Sequence, residues 1–298
     1  MSGAADYMAR EDAAGPCQIC IVRFRAVRYT GAMPARLSRP PAALLAAAGL
    51  AIAGISIVAQ AGAGASVRTW VGNETRIEAH LKSAKVTRLQ DIGTGVTKPR
   101  RAYLDPAEPV SSLVWKVLPP ERRDGYWESY KSEIAAYELD KFLGMHVVPP
   151  AVERTIEGET GAAIMWLEGI QSVKQTGGKV PSGPIWGRAI RRMIMFDDLI
   201  CNRDRNAGNI LIGRPGELVL IDHSRAFIDD KDLPREIERV DAELWDRMTA
   251  LTRDDLTRVV GAWIDGRAIA AMIARRDRMV KDVDKLAAKK GRALVIIR

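Results

Sequence analysis

The chain has 298 residues, is 47% apolar and 28% charged, and carries a formal net charge of +8. That length can bury a large core, and that balance excludes intrinsic disorder and low-complexity architecture. The charge does not describe a nucleic-acid binder: six Arg stand against three acidic residues in the first 65 positions, the remaining excess is spread over helical faces, and no basic stripe is interleaved with aromatics.

In chain order, the first feature is an uncharged apolar run over 41–59 (PAALLAAAGLAIAGISIVA), preceded by Arg36 and Arg39 and followed by Ala61-Gly62-Ala63 and Ala63-Gly64-Ala65. This is the order of a secretory signal with a small-residue cleavage site, and it predicts a secreted or periplasmic protein. Its depth in the chain places the expected start at Met33, with residues 1–32 a leader outside the protein proper and 33–65 the signal. The other reading of 41–59 is a membrane anchor, since about 20 apolar residues span a bilayer; membrane contact is expected only if the segment stays uncleaved. Cys17 and Cys20 fall in the leader, which leaves Cys201 as a small buried apolar residue with no partner for a disulfide.

Residues 66–88 read as a polar lead-in with a short helix near 78–83. From Leu89 the pattern sharpens: Gly93, Thr94 and Gly95 lie in a turn over 91–99 between two strands, the second over 101–104. An apolar strand over 110–118 carries Lys116 and is stopped by Pro119 and Pro120. Ile134, Tyr137, Leu139 and Phe142 recur at helical spacing over 130–143, with Gly144 at the helix end. A strand over 162–167 closes on Glu168-Gly169, and the Gly-, Ser- and Pro-rich stretch 171–184 reads as hinge and loop. The remainder is mainly helical, with short strands at 210–212 and 218–221 and helices at about 235–248, 253–264 and 267–290. The expected architecture is α+β in two lobes, a small β-rich N-lobe over 89–169 and a larger, mainly helical C-lobe over 170–298.

The residues that carry chemistry are concentrated in Asn202-Arg203-Asp204-Arg205-Asn206-Ala207-Gly208-Asn209 and, thirteen residues after Asn209, Asp222 in Ile221-Asp222-His223-Ser224-Arg225-Ala226-Phe227. Phosphoryl transfer needs a divalent cation held by hard oxygen ligands against the phosphates and a carboxylate beside the attacking hydroxyl. A loop that sets Asp204 and Asn209 five residues apart and returns through a hairpin to Asp222 can bring all three to one cleft. A surface turn would read similarly, but a turn does not explain why these polar residues are framed by Ile210, Leu211, Ile212, Leu220 and Ile221.

This pattern resembles that of the protein-kinase-like superfamily. Its details are similar to the catalytic domains of phosphatidylinositol 3- and 4-kinases and to secretory-pathway kinases of the FAM20-like and HipA-like kinds. The resemblance spans about residues 90–230 and implies ATP and Mg²⁺ as cofactors, Asp204 as the group that orients or deprotonates the acceptor hydroxyl, and Asn209 and Asp222 as metal ligands. It further implies that Lys116 paired with Glu133 holds the nucleotide phosphates, that Gly93, Thr94 and Gly95 approach them, and that Trp166 borders the adenine pocket from the hinge. Each of these has a plainer counterpart: an exposed strand lysine, a first-turn acid, a simple turn. Asn206 stands where the lipid kinases carry His, and Ser224 replaces a glycine, which predicts a stiffer metal loop. His223 is expected to position that loop, and Asp197 or Asp198 to anchor the catalytic loop by hydrogen bonds. The acceptor implied is a protein hydroxyl first and a lipid or small-molecule hydroxyl second, with no nucleic-acid partner. The alternatives are a nucleotide-binding pseudokinase acting as a regulatory module and an AMP transferase.

Overall fold

The computed structural model describes residues 66–93, 98–123, 126–213 and 216–298. The apolar run over 41–59, the Cys17/Cys20 pair, Thr94 and Gly95 lie outside the described residues.

The N-lobe opens with helix α1 (Glu74–Ser83), then strands β1 (Lys85–Asp91), β2 (Arg100–Asp105) and β3 (Ser112–Lys116). A hairpin of β4 (Glu121–Arg123) and β5 (Tyr126–Glu128) leads into helix α2 (Tyr130–Phe142), and β6 (Ala151–Ile156) and β7 (Glu159–Met165) complete the lobe. Five of these strands form one antiparallel sheet in the order β1-β2-β3-β7-β6. Alternation divides its faces. Ala102, Leu104, Leu113, Trp115, Ala163 and Met165 point into a core closed by Trp70, Ile77 and Leu81. On the other face the register sets Arg101 opposite Val114, Val114 opposite Ile164, and Lys116 opposite Ala162.

Within 66–88, expected as a polar lead-in, Trp70, Ile77 and Leu81 pack into the N-lobe core. α1 is polar by composition, but Ile77 and Leu81 lie one turn apart and are 2% and 0% exposed, so two side chains suffice to bind it to the sheet. The β4–β5 hairpin and β6 were not anticipated. The hairpin's strands, Glu-Arg-Arg and Tyr-Trp-Glu, are too short and too charged to show an alternating pattern.

The C-lobe holds β8 (Gln171–Ser172), helix α3 (Pro184–Ile200), β9 (Ile210–Ile212), β10 (Leu218–Leu220) and β11 (Val240–Asp241). It continues with helices α4 (Ala242–Ala250), α5 (Arg253–Val260), α6 (Gly266–Lys290) and α7 (Arg292–Val295), and ends in β12 (Ile296–Ile297), which pairs in parallel with β11. Three expected helices are corrected at their ends. The one expected at 235–248 begins only at Ala242, because Asp198 Oδ1 accepts the Arg235 N–H and holds that stretch as loop, while Asp241 caps the helix by accepting the Leu244 N–H. α5 stops at Val260 rather than 264, after a capping box between Thr252 and Asp255, and α6 starts on an Asp265 cap.

Candidate active site

The C-lobe side of the site grows from the end of α3. Cys201, at φ 55° in the left-handed region, ends the helix and turns the chain into the loop 202–209. Asp197, fully buried on the last turn, organises that loop: its Oδ1 accepts from Asn202 Nδ2 at 3.1 Å and from Arg205 Nη2 at 2.9 Å, and Arg205 Nε donates to its Oδ2 at 3.1 Å. Arg205 Nη1 also donates to the carbonyls of Asn209 and Ile221, at 3.0 and 2.7 Å. One buried guanidinium thereby fixes the spacing between the loop 202–209 and the hairpin that ends at Asp222. Within the loop, Asn202 Oδ1 accepts the Asp204 N–H at 3.1 Å and Asn206 Oδ1 accepts the Gly208 N–H at 2.8 Å. Asn206, at the position of the lipid-kinase His, serves here as a turn cap.

The segment 222–226 is held from the N-lobe residue by residue. Lys116 Nζ donates to Asp222 Oδ1 at 2.6 Å and to Glu133 Oε1 at 2.7 Å. The His223 N–H donates to Glu133 Oε2 at 2.9 Å, and the Ser129 N–H donates to the Ser224 carbonyl at 2.9 Å. Arg225 pairs with the buried Glu128 at 2.8 Å, stacks on the Tyr126 ring at 4.4 Å, and reaches Asp204 Oδ2 at 3.5 Å. Ser132 Oγ donates to the Ala226 carbonyl at 3.2 Å. Asp222 itself sits at φ 59°, a conformation that Asp tolerates at modest cost and that the surrounding bonds sustain. Ser224 Oγ donates to Asp222 Oδ1 at 3.0 Å.

Charge follows geometry. Burial pushes Lys116 toward the neutral amine, but Glu133 and Asp222 outweigh it and hold it well above the lysine range. Burial pushes Glu133 up, and Lys116 with the His223 N–H pulls it far below the carboxylate range. Asp222 is also lowered, as Lys116 overcomes both burial and repulsion from Glu133. His223 is lowered by burial and then by Arg205, against Glu133. Because Arg205 can only donate, His223 Nε2 accepts from it at 2.9 Å, which leaves the ring proton on Nδ1, 3.5 Å from Glu133 Oε2.

Of the residues named from sequence, Lys116, Glu133, Asp204, Asn209 and Asp222 are thus linked in one network. Asn209 Nδ2 donates to the Asp204 carbonyl at 3.0 Å, which leaves its Oδ1 and the second oxygen of Asp222 as hard donors to a divalent cation. Among the described residues no group of three or more His, Cys, Asp or Glu is placed to hold a metal ion. Gly93, at φ 71° beside β1, meets no atom within 4 Å of an added Cβ and leaves backbone open to a ligand. Trp166 follows β7, its ring covered by the Arg101 guanidinium at 4.3 Å. It does not line the cavity of about 20 Å³ at the site, which Glu133, Asp222, Ile164 and Leu220 border among others and which has room for about one water. Sequence reasoning gave no role to Arg205, Arg225 or Glu128. A signal existed for the first, an Arg beside Asp204, but nothing local marks Glu128, 97 residues from its partner.

Three solved structures share this architecture. Fam20 from hydra, with sugar, aligns at TM-score 0.62 and 17% identity over 76% of this chain and 92% of its own. The Golgi casein kinase with Mn/ADP bound aligns at 0.61 and 14% over 76% and 79%, and a second structure of the Golgi casein kinase at 0.59 and 13% over 74% and 78%. No family model and no curated relative matches the chain. The likeness is one of fold, and the fold is protein-kinase-like, with a β-sheet lobe and a helical lobe.

Proposed function

We propose that this protein-kinase-like chain is a phosphotransferase that moves the γ-phosphate of ATP to a hydroxyl group, on a protein by preference and on a lipid or small molecule second. The observation that carries this reading is Lys116 Nζ lying between Glu133 and Asp222 at 2.7 and 2.6 Å, with Asp204 and Asn209 on the adjoining loop. Lys116 and the backbone beside Gly93 bind the phosphates. Asn209 and Asp222 would hold Mg²⁺, which would neutralise phosphate charge. The acceptor oxygen attacks the γ-phosphorus as its bond to the β-phosphate oxygen breaks, Asp204 takes or orients the hydroxyl proton, and ADP leaves. The Mn/ADP bound to the Golgi casein kinase, which shares the fold, supports a metal–nucleotide pair.

The sequence around 41–59 supports export, with residues 33–65 removed or retained as an anchor. Nucleotide thermal shift with and without Mg²⁺, followed by ATP labelling of protein and lipid panels, tests the reading. The expected result is an Mg²⁺-dependent shift and transfer of γ-label. Transfer of α-label alone would make it an AMP transferase, a shift without turnover a pseudokinase, and no shift at all would end the nucleotide reading.

A further inference from the structure

The face of the N-lobe sheet that carries Lys116 also carries a cation outside the ion-pair network of the site. Arg101 of β2 lies opposite Val114, and Val114 lies opposite Ile164, so the three form one cross-strand row. That row is two residues, or about 7 Å along β3, from Lys116. Val114 and Ile164 are half-buried and give it an apolar surface, which Arg101 flanks. The Arg101 guanidinium is clamped. Its Nε and Nη2 donate to Ser112 Oγ at 3.0 and 2.8 Å, and Nη2 also donates to Glu168. The group lies 4.3 Å from the Trp166 ring and 4.8 Å from the Tyr103 ring. Ser112 is fully buried, so the anchor is fixed, while 19% of the Arg101 side chain reaches solvent. Nη1 has no partner among the described residues. A fixed guanidinium with one nitrogen unengaged offers charge-assisted N–H groups to an acceptor that the protein does not supply.

The acceptor end of the cleft lies beyond Pro119, where the β4–β5 hairpin holds Arg225 beside Asp204. With phosphates at Lys116, a nucleoside therefore extends the other way, toward Val114 and Trp166. Its base lies against Val114 and Ile164, with one edge at Arg101. We infer that Arg101 is a specificity-determining residue for the nucleobase, and that the site takes GTP at least as readily as ATP. Guanine presents two acceptors on one edge, O6 and N7, whereas adenine presents N7 beside an amino group that is itself a donor. Against Arg101 the guanine edge is complementary, and the adenine edge sets donor against donor. An apolar residue at 101 would draw no such distinction. The transfer is the same with either nucleotide: the acceptor oxygen bonds to the γ-phosphorus, the bond to the β-phosphate oxygen breaks, and GDP leaves in place of ADP. The inference rests on the phosphotransferase reading, whose donor it specifies.

The test titrates the full chain with the Mg²⁺ complexes of GTP, ATP and inosine triphosphate, which keeps O6 and N7 but lacks the 2-amino group. The parent should bind the guanine and inosine nucleotides alike, and at least as tightly as ATP. Arg101→Met keeps the length of the side chain, and should weaken both about tenfold, the value of one charge-assisted hydrogen bond, while ATP stays within about twofold. Arg101→Lys keeps the charge without the clamped geometry and should fall between. Should Arg101→Met fail to fold, 7-deaza-GTP on the parent puts the same question, since it lacks one of the two acceptors and should bind less tightly than GTP. A parent that prefers ATP, an unchanged ratio of GTP to ATP affinity in Arg101→Met, or equal binding of GTP and 7-deaza-GTP would overturn the inference and leave phosphotransfer standing. Binding of no nucleotide at all would end the phosphotransferase reading, and this inference with it.

Discussion

Lys116, Glu133, Asp197, Arg205 and His223 are buried, and each is in contact with at least one charged partner, whereas at the other end of the same cleft Asp204 and Arg225 leave 40% and 26% of their side chains in solvent. Buried charges are costly unless every partner is in place, so the inner end has essentially one arrangement. At the outer end only Asp204 is free of close charged contacts, because Arg225, which reaches it at 3.5 Å, is itself held by the buried Glu128 at 2.8 Å. On the proposed function, the inner end would be set before nucleotide arrives, while the end that would meet the acceptor keeps a solvent-exposed carboxylate, Asp204.

The comparison breaks first at Asp222. Asp222→Asn keeps the shape but removes the charge, and transfer should fall by about a thousandfold or more while the melting temperature stays near that of the parent. Asp204→Asn should lose turnover comparably yet retain Mg-nucleotide affinity, read by thermal shift. Equal loss of nucleotide binding in both variants would erase the distinction between the two ends.

Next in size is the buried Arg205–Asp197 pair. Arg205→Met takes from the buried Asp197 its closest charged partner, leaving Asn202 at 3.1 Å and Arg235 at 3.7 Å, and should cost about 3 kcal/mol in denaturant unfolding. A loss below about 1 kcal/mol would show that the inner end is not rigid in this sense.

Lys116→Met and Glu133→Gln sharpen the same point. Each should lower activity, and the double variant should fall short of the sum by about 1–3 kcal/mol of transition-state energy, since the two act through one contact. Full additivity would mean that they act separately.

At the outer end, Arg225→Met should reduce turnover about tenfold, the value of one charge-assisted hydrogen bond, with the nucleotide dissociation constant unchanged. A change confined to nucleotide binding would move Arg225 to the inner group.

The smallest effect concerns Asp140, on α2, which accepts the N–H groups of Val147 and Val148 and is pushed by burial up to about 7. Its folded value is raised, so its contribution to stability is full below the ordinary carboxylate value of 3.8 and is lost as pH rises through about 7. Asp140→Asn lacks this titration, so its melting temperature relative to the parent should improve between pH 5 and pH 8. A constant difference would count against it.

The sequence by itself determined the elements that local pattern encodes. Helical spacing placed α2, apolar runs placed β3, β9 and β10, and the fixed intervals from Asp204 to Asn209 to Asp222 marked the site, because they lie on one loop and one hairpin. Tertiary structure alone decided which charges meet. The chain carries 45 cationic and 37 acidic side chains, and nothing in the local sequence of Glu128 distinguishes it as the partner of Arg225, or Glu217 as the acceptor of the Val67 N–H. The same holds for α1, whose polar sequence hides two core residues, and for the short charged β4–β5 hairpin that reaches the metal loop. Periodicity is a property of neighbours along the chain, while an ion pair between residues about a hundred positions apart exists only once the backbone has brought them together and burial has removed the water that would otherwise compete for each charge.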